Sequence, residues 1–157
     1  MKPLIPFRQS PGLCGPASLK ILLSYYDKHF PEDELAKLCE VTPEIHASHA
    51  QMASGAEAVK AKVESKSEGK LDDLRRYVED DIPVIVGWWS NNQAHYSVVY
   101  EVGKTRVFMM DPDTESGIRI MPLEEFEAAW HDTDGGPKHQ IKQWMMAITN
   151  WKPPIEE

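Results

Sequence analysis

The apolar residues of this chain change their spacing near its middle, and that change limits the fold more than any other feature of the sequence. In the first half they recur at intervals of three and four. Leu19, Leu22, Leu23 and Tyr26 predict a helix from Cys14 to Lys28. Gly15-Pro16 opens it, because a proline in the first turn lacks only an N–H that would have gone unsatisfied. Pro31 starts a second helix with Leu35, Ala36, Leu38 and Cys39 on its inner face. A third is expected over about 47–62, followed by a short strand near Val63–Ser65, and Leu71, Leu74, Tyr77 and Val78 mark a fourth over 71–81. The second half reads differently. Pro83–Trp89 is a near-continuous apolar run, as a strand buried on both faces requires. His95–Val102 and Arg106–Asp111 are β-rich and are separated by Gly103-Lys104-Thr105. Ile118–Met121 and Gln143–Asn150 add strands, with a helix at Leu123–Trp130 between them. Helices first and an antiparallel sheet after them predict one α+β domain over residues 1–157.

Composition narrows the function classes. With 157 residues, 41% of them hydrophobic, the chain can bury a real core and is not a disordered segment. Lys and Arg number 17 against 25 Asp and Glu, a net charge of −8, so no basic excess exists to displace counterions from a phosphate backbone. Nucleic acid is therefore not an expected partner. Nor is a membrane, since no apolar run is long enough to span one. The start, Met1 to Arg8, holds two prolines and lacks the apolar stretch of a signal peptide. Two cysteines are too few for a disulfide scaffold and suit a reducing compartment, so a cytoplasmic location is expected.

Those two cysteines differ in place. Cys14 stands at the start of the first helix, where free N–H groups and the positive end of the dipole favour a thiolate. The Gly15-Pro16-Ala17-Ser18 that follows keeps bulk away from the sulfur. Cys39 lies on an apolar helix face and reads as core. A base to match Cys14 is found in His95, which opens a strand after the polar loop Ser90–Ala94, so that its ring can project past the sheet edge. Asp111 closes the partner strand, and Pro112 ends the ladder. With a three-residue loop at 103–105, Val102 pairs with Arg106 and Ser97 with Asp111. His95 then lies diagonal to Asp111 on one face, at a Cβ separation of about 7–8 Å that the two side chains can close. A two-residue loop would turn Asp111 to the other face.

Three stretches together carry a resemblance: Gln9 with Cys14-Gly15-Pro16-Ala17-Ser18-Leu19, then His95-Tyr96-Ser97-Val98-Val99-Tyr100, then Val107-Phe108-Met109-Met110-Asp111-Pro112. In order, interval and helix-then-sheet layout, the chain resembles the C39 family of papain-like cysteine peptidases over about residues 5 to 150. The resemblance implies a papain-like fold, its N-terminal helices packed on an antiparallel sheet, and hydrolysis of a peptide bond in a peptide or protein substrate without a cofactor. By the same token Cys14 would be the nucleophile and His95 the proton carrier. Asp111 would orient His95, and the Gln9 amide with the Cys14 N–H would form the oxyanion hole. Leu13 departs from the family, which often has an acidic residue there. Many members are fused to a transporter and cut after a double glycine; this chain shows no membrane helix, so the resemblance alone does not imply that substrate.

Other motifs have plainer readings. His46-Ala47-Ser48-His49 puts two histidines on one helical face, but only Glu44 is near as a third metal ligand, which favours a solvated helix entrance. Asp111–Gly117 fails as a calcium loop, with Ser116 where Gly is required. Asp132–Pro137 reads as a turn, and the acidic runs at 32–34 and 79–81 as solvated helix ends. Of Trp88 and Trp89, at least one is expected in the core. Two other functions fit the same residues: a non-catalytic domain that binds a peptide or leader sequence, and an acyl-transfer enzyme of transglutaminase or amidase type.

Overall fold

Residues 1–134 and 140–155 are described by the computed structural model. Three helices come first, α1 (Cys14–Tyr25), α2 (Glu32–Leu38) and α3 (His49–Ala58), then β1 (Val63–Lys66) and α4 (Leu71–Glu79). The long β-rich stretch supplies β2 (Val84–Ser90), β3 (Gln93–Val102), β4 (Arg106–Met110) and β5 (Ile118–Pro122). After α5 (Leu123–Ala129) come the short β6 (His131–Asp132) and β7 (Ile141–Lys142), and finally β8 (Met145–Ile148). Six strands form one sheet in the order β1-β8-β2-β3-β4-β5, every neighbouring pair antiparallel. The α+β layout read from the sequence is the one observed. Among the described residues, no helix is long and apolar enough to cross a membrane.

Side-chain alternation along the strands divides the core in two. Ile85, Tyr96, Val98 and Met146 pack under α1–α3 with Leu19 and Leu22, while Val86, Val99 and Met109 pack with Leu74 of α4 and Phe126 and Trp130 around α5. Both faces of the central strands are thus covered, which is why β2 reads as an unbroken apolar run. Burying each large apolar side chain contributes about 1.5–3 kcal/mol. Trp88 is buried and Trp89 half-buried, stacked 5.6 Å from His131.

The helices are shorter than their apolar periods. Asp27, Lys60 and Asp81 adopt positive φ of 61°, 75° and 62°, and each winds the chain out of its helix. Tyr26, at the C-cap of α1, is still buried, so burial extends the pattern beyond the hydrogen-bonded turns. Ser48 and Gln51 form a reciprocal capping box that starts α3 two residues later than the apolar spacing suggests. β8 likewise begins only after Gln143, at φ 57°. The polar loop expected at 90–94 is instead a two-residue hairpin turn: Asn91 and Asn92 have φ of 51° and 61°, and Ser90 pairs directly with Gln93. Of the turn expected at 132–137, Asp132 lies in β6 and positions 135–137 fall outside the described residues.

α3 lies close enough to the residue that ends α2 that Gly55 has no room for a side chain: a Cβ there would stand 2.3 Å from the Cys39 sulfur and 3.3 Å from Leu19. Gly55→Ala is therefore expected to lower the free energy of unfolding by about 1–3 kcal/mol in urea melts, although alanine is the better helix former.

Candidate active site

The segment leading to Cys14 is tied down residue by residue. Gln9 donates its backbone N–H to the Pro112 carbonyl at 2.9 Å, which fastens it beside Asp111. Ser10 gives its N–H and its hydroxyl to the Glu32 carboxylate, at 2.9 and 2.5 Å. Gly12 then turns the chain at φ 78°, where any Cβ would stand 2.1 Å from the Pro43 carbonyl oxygen; only glycine fits. The chain enters α1 at Cys14 with no side-chain cap among the described residues, so the first-turn amides keep their open donors beside the sulfur.

On the sheet, His95 pairs directly with Trp88 and shares its face; the rings meet edge-on at 5.7 Å. Alternation sends Tyr96 and Val98 under α1 and His95 to the other side. A papain-like layout with Cys14 on the first helix predicts His95 and Asp111 on the sheet facing it. Sulfur and imidazole instead meet around the end of the sheet, where both line a cleft of about 480 Å³ with Gln9, Glu44, His46 and Asp113.

His95 Nε2 lies 2.6 Å from Asp111 Oδ1, which leaves Nδ1 for the sulfur. The register behind that contact differs from the expected one. Val102 pairs with Val107 rather than Arg106, so the loop holds four residues and would by itself misplace Asp111. A bulge at Tyr100 takes up the extra residue, and Val99↔Met109 and Val98↔Met110 restore the predicted register where it matters. Asp111 is fully buried, and its second oxygen accepts from Arg119 Nε at 2.6 Å, while Oδ1 also accepts the Asp113 N–H at 3.0 Å. Arg119 in turn lies 5.5 Å over the Trp88 ring.

These neighbours set the charges. Burial pushes the Cys14 thiol up, but hydrogen bonding and charge from His46 and His95 outweigh it and bring its pKa down to about 6. Burial pushes His95 down, yet Asp111 first and Cys14 second raise it to about 9. Burial also opposes ionisation of Asp111, but His95, the Asp113 amide and Arg119 hold it at about 2. Cys39 has burial alone, and rises to about 11. These shifts favour a Cys14 thiolate beside a His95 imidazolium in the cleft near neutral pH.

Gln9 reaches the same cleft. Its Nε2 makes a long 3.4 Å contact to the Ser10 carbonyl, and its buried Oε1 has no partner among the described residues. His46 and His49, which the sequence paired, point apart. His46 Nδ1 faces the Cys14 sulfur at 4.0 Å, whereas His49 Nε2 bonds Asp132 at 2.6 Å and its ring stacks on Trp144. Among the described residues, no three His, Cys, Asp or Glu side chains form a metal-binding group. Sequence reasoning missed Arg119 and the approach of His46. Arg119 was within reach of the same arithmetic: with Met109 opposite Arg119, residue 119 lies diagonal to Asp111 on β5 as His95 does on β3.

The sequence matches the Peptidase C39 family over residues 7–133. Among solved structures, the fold is similar to the peptidase domain of Streptococcus ComA, a bi-functional ABC transporter involved in quorum sensing, at TM-score 0.71 and 20% identity, covering 93% of this chain and 98% of that one. It is similar to a double glycine motif protease from an AMS/PCAT transporter in complex with the leader peptide (0.70, 20% identity, 94% and 93% covered). A C39-like peptidase from Bacillus anthracis follows (0.69, 16% identity, 95% and 96% covered). No curated sequence matches the chain.

The electrostatics give a direct expectation. Alkylation by a haloacetamide, mapped by mass spectrometry across pH, should show Cys14 titrating near 6 while Cys39 stays inert. His95→Ala should move the Cys14 midpoint upward, toward the free-thiol value of about 8.5.

Proposed function

The chain belongs to the Peptidase C39 family, and we propose that it is a cysteine peptidase in which Cys14, His95, Asp111 and Gln9 carry the reaction. The observation that carries this reading is the 2.6 Å contact between His95 Nε2 and a buried carboxylate, which turns the other ring nitrogen toward a thiol of lowered pKa.

In the proposed cycle, the Cys14 thiolate attacks the carbonyl carbon of a peptide bond. The oxyanion that forms is met by the Cys14 N–H at the helix start and by the Gln9 amide, whose weak contact to Ser10 leaves it free to turn. As the C–N bond breaks, His95 gives its Nδ1 proton to the departing amine, leaving a neutral ring and an acyl-enzyme. Water then adds to the acyl carbon, His95 takes its proton, and the C–S bond breaks to restore the thiolate. Asp111, kept anionic by His95 and Arg119, holds the ring in one tautomer throughout. Trp88 packs against the ring and keeps bulk water from its flank.

The substrate is read as a peptide segment laid in the cleft beside Cys14. The protease whose structure holds a leader peptide supports a peptide ligand in this fold. We read residues 1–157 as one peptidase domain. Two free thiols, Cys14 and Cys39, support a cytoplasmic setting for it.

The test is cleavage of a diverse peptide library, scored as new termini by mass spectrometry, with Cys14→Ala yielding none; hydrolysis that survives Cys14→Ala would sink the proposal. On the best peptide, kcat/KM should be bell-shaped in pH. The acid limb, near 6, is protonation of the thiolate, and the alkaline limb, near 9, is loss of the His95 proton. Gln9→Ala should lower kcat by about 10²–10³-fold with little change in KM or in the acid limb.

A further inference from the structure

The Cys14 sulfur has a second imidazole beside it. His46 Nδ1 stands 4.0 Å from Sγ, within reach of an N–H to sulfur contact. The ring does not lie there loosely. It is stacked flat on the buried Tyr96, with centroids 5.0 Å apart and planes within 5°. The Tyr96 hydroxyl donates to the carbonyl of Ala47, the next residue, at 2.7 Å, so one tyrosine holds both the His46 ring and its backbone. The loop is pressed against the start of α1 and the turn before it: Gly12 abuts Pro43, and a Cβ at Gly15 would stand 3.0 Å from the Ala47 methyl. On its far side Ser48 caps α3 and His49 is anchored to Asp132.

We propose that His46 is a second donor to the Cys14 thiolate, meeting the sulfur through Nδ1–H alongside His95. The proposal rests on Cys14 being the nucleophile. His46 keeps its proton throughout the cycle. When the S–C bond forms and the C–N bond breaks, the proton for the amine comes from His95, and His46 gives up only its contact to the sulfur. When water adds and the C–S bond breaks, His95 takes the water proton and the returning thiolate again accepts from His46. The residue thus makes sulfur a better leaving group and an earlier-formed thiolate, and costs it some nucleophilicity. The ionisable groups facing the sulfur are His95 from β3, His46 from its loop and Tyr96 behind it. Arg8, Glu44 and Asp113 line the rest of the cleft.

The test is the rate at which Cys14 reacts with a dipyridyl disulfide across pH, read by peptide mass spectrometry so that Cys39 is scored separately. It compares the parent protein with His46→Ala, His46→Asn and His95→Ala. Losing one hydrogen bond to a thiolate lowers its acidity about tenfold. With a Brønsted slope of about 0.4–0.5, His46→Ala should then react about three- to four-fold more slowly on the acid side and about three-fold faster above both midpoints. The two curves cross, which loosening of the fold would not produce. His46→Asn, which can return an N–H to the same place, should restore most of the acid-side rate. A His46→Ala curve that does not move, or that scales equally at every pH, overturns the proposal, as does a crossing that His46→Asn leaves unrestored. If His95→Ala also fails to move the Cys14 midpoint, the thiolate–imidazolium pair itself falls; if it moves while His46→Ala does not, only the second donor falls.

Discussion

A carboxylate with no exposure to water must be paired, and the sheet end of this protein is arranged around that requirement at Asp111. Removing one partner from a buried ion pair costs about 3–5 kcal/mol, so the arrangement tolerates little slack. His95 and Arg119 reach Asp111 from the strands on either side, each at 2.6 Å, and the Asp113 amide closes from the turn just beyond β4. Three neighbouring strands therefore have to keep one register at this level. The bulge at Tyr100 is where the β3–β4 pair reconciles a four-residue loop with that register. The orientation of His95, and with it the nitrogen left for Cys14, follows from where Asp111 sits.

Much of this was legible. The change of apolar period gives the order of helices and sheet, and the Gly-Pro after Cys14 gives a thiol at a helix start. The pairing of His95 with Asp111 was reached by counting residues across a hairpin. That count was right at the end that matters and off by one at the loop, because a bulge leaves no mark on alternation until its partner strand is known. Helix ends were missed for a related reason. Tyr26 is buried like a helical residue, yet its backbone already turns toward Asp27 at positive φ. His46 was hidden more deeply. Its approach to Cys14 depends on Pro43 meeting Gly12 and on a ring stack with Tyr96, contacts between segments far apart in the chain that no local pattern announces.

Cys14 and Cys39 show how little burial alone decides. Both thiols are buried, and burial pushes both toward the neutral form. Cys39 sits near Leu19 and Gly55 of α3, where burial alone shifts its acidity, and becomes a poorer acid. Cys14 meets two imidazoles and the open amides of a helix start, and becomes a better one. A sulfur atom out of water is inert or reactive according to the donors around it.

Those neighbours belong to different layers. Cys14 arrives with the helices on one face of the sheet, and His95 leaves β3 toward the other. A site split this way depends on how α1 is pinned to β3. Ser18 supplies the pin: its hydroxyl donates to the Tyr96 carbonyl at 3.0 Å, fully buried. Ser18 is one helical turn beyond Cys14, and Tyr96 is the residue after His95, so this bond sets the spacing between the Cys14 thiol and the His95 ring from directly behind them. Gly15, where a Cβ would stand 3.0 Å from both the Ala47 methyl and the Met52 sulfur, sets how closely the loop and α3 approach α1. Tyr96 then carries His46 on its face and Ala47 on its hydroxyl. One buried tyrosine so ties together the helix, the strand and the loop that meet at the sulfur. The small residues around Cys14 serve that approach as much as they serve access to the thiol.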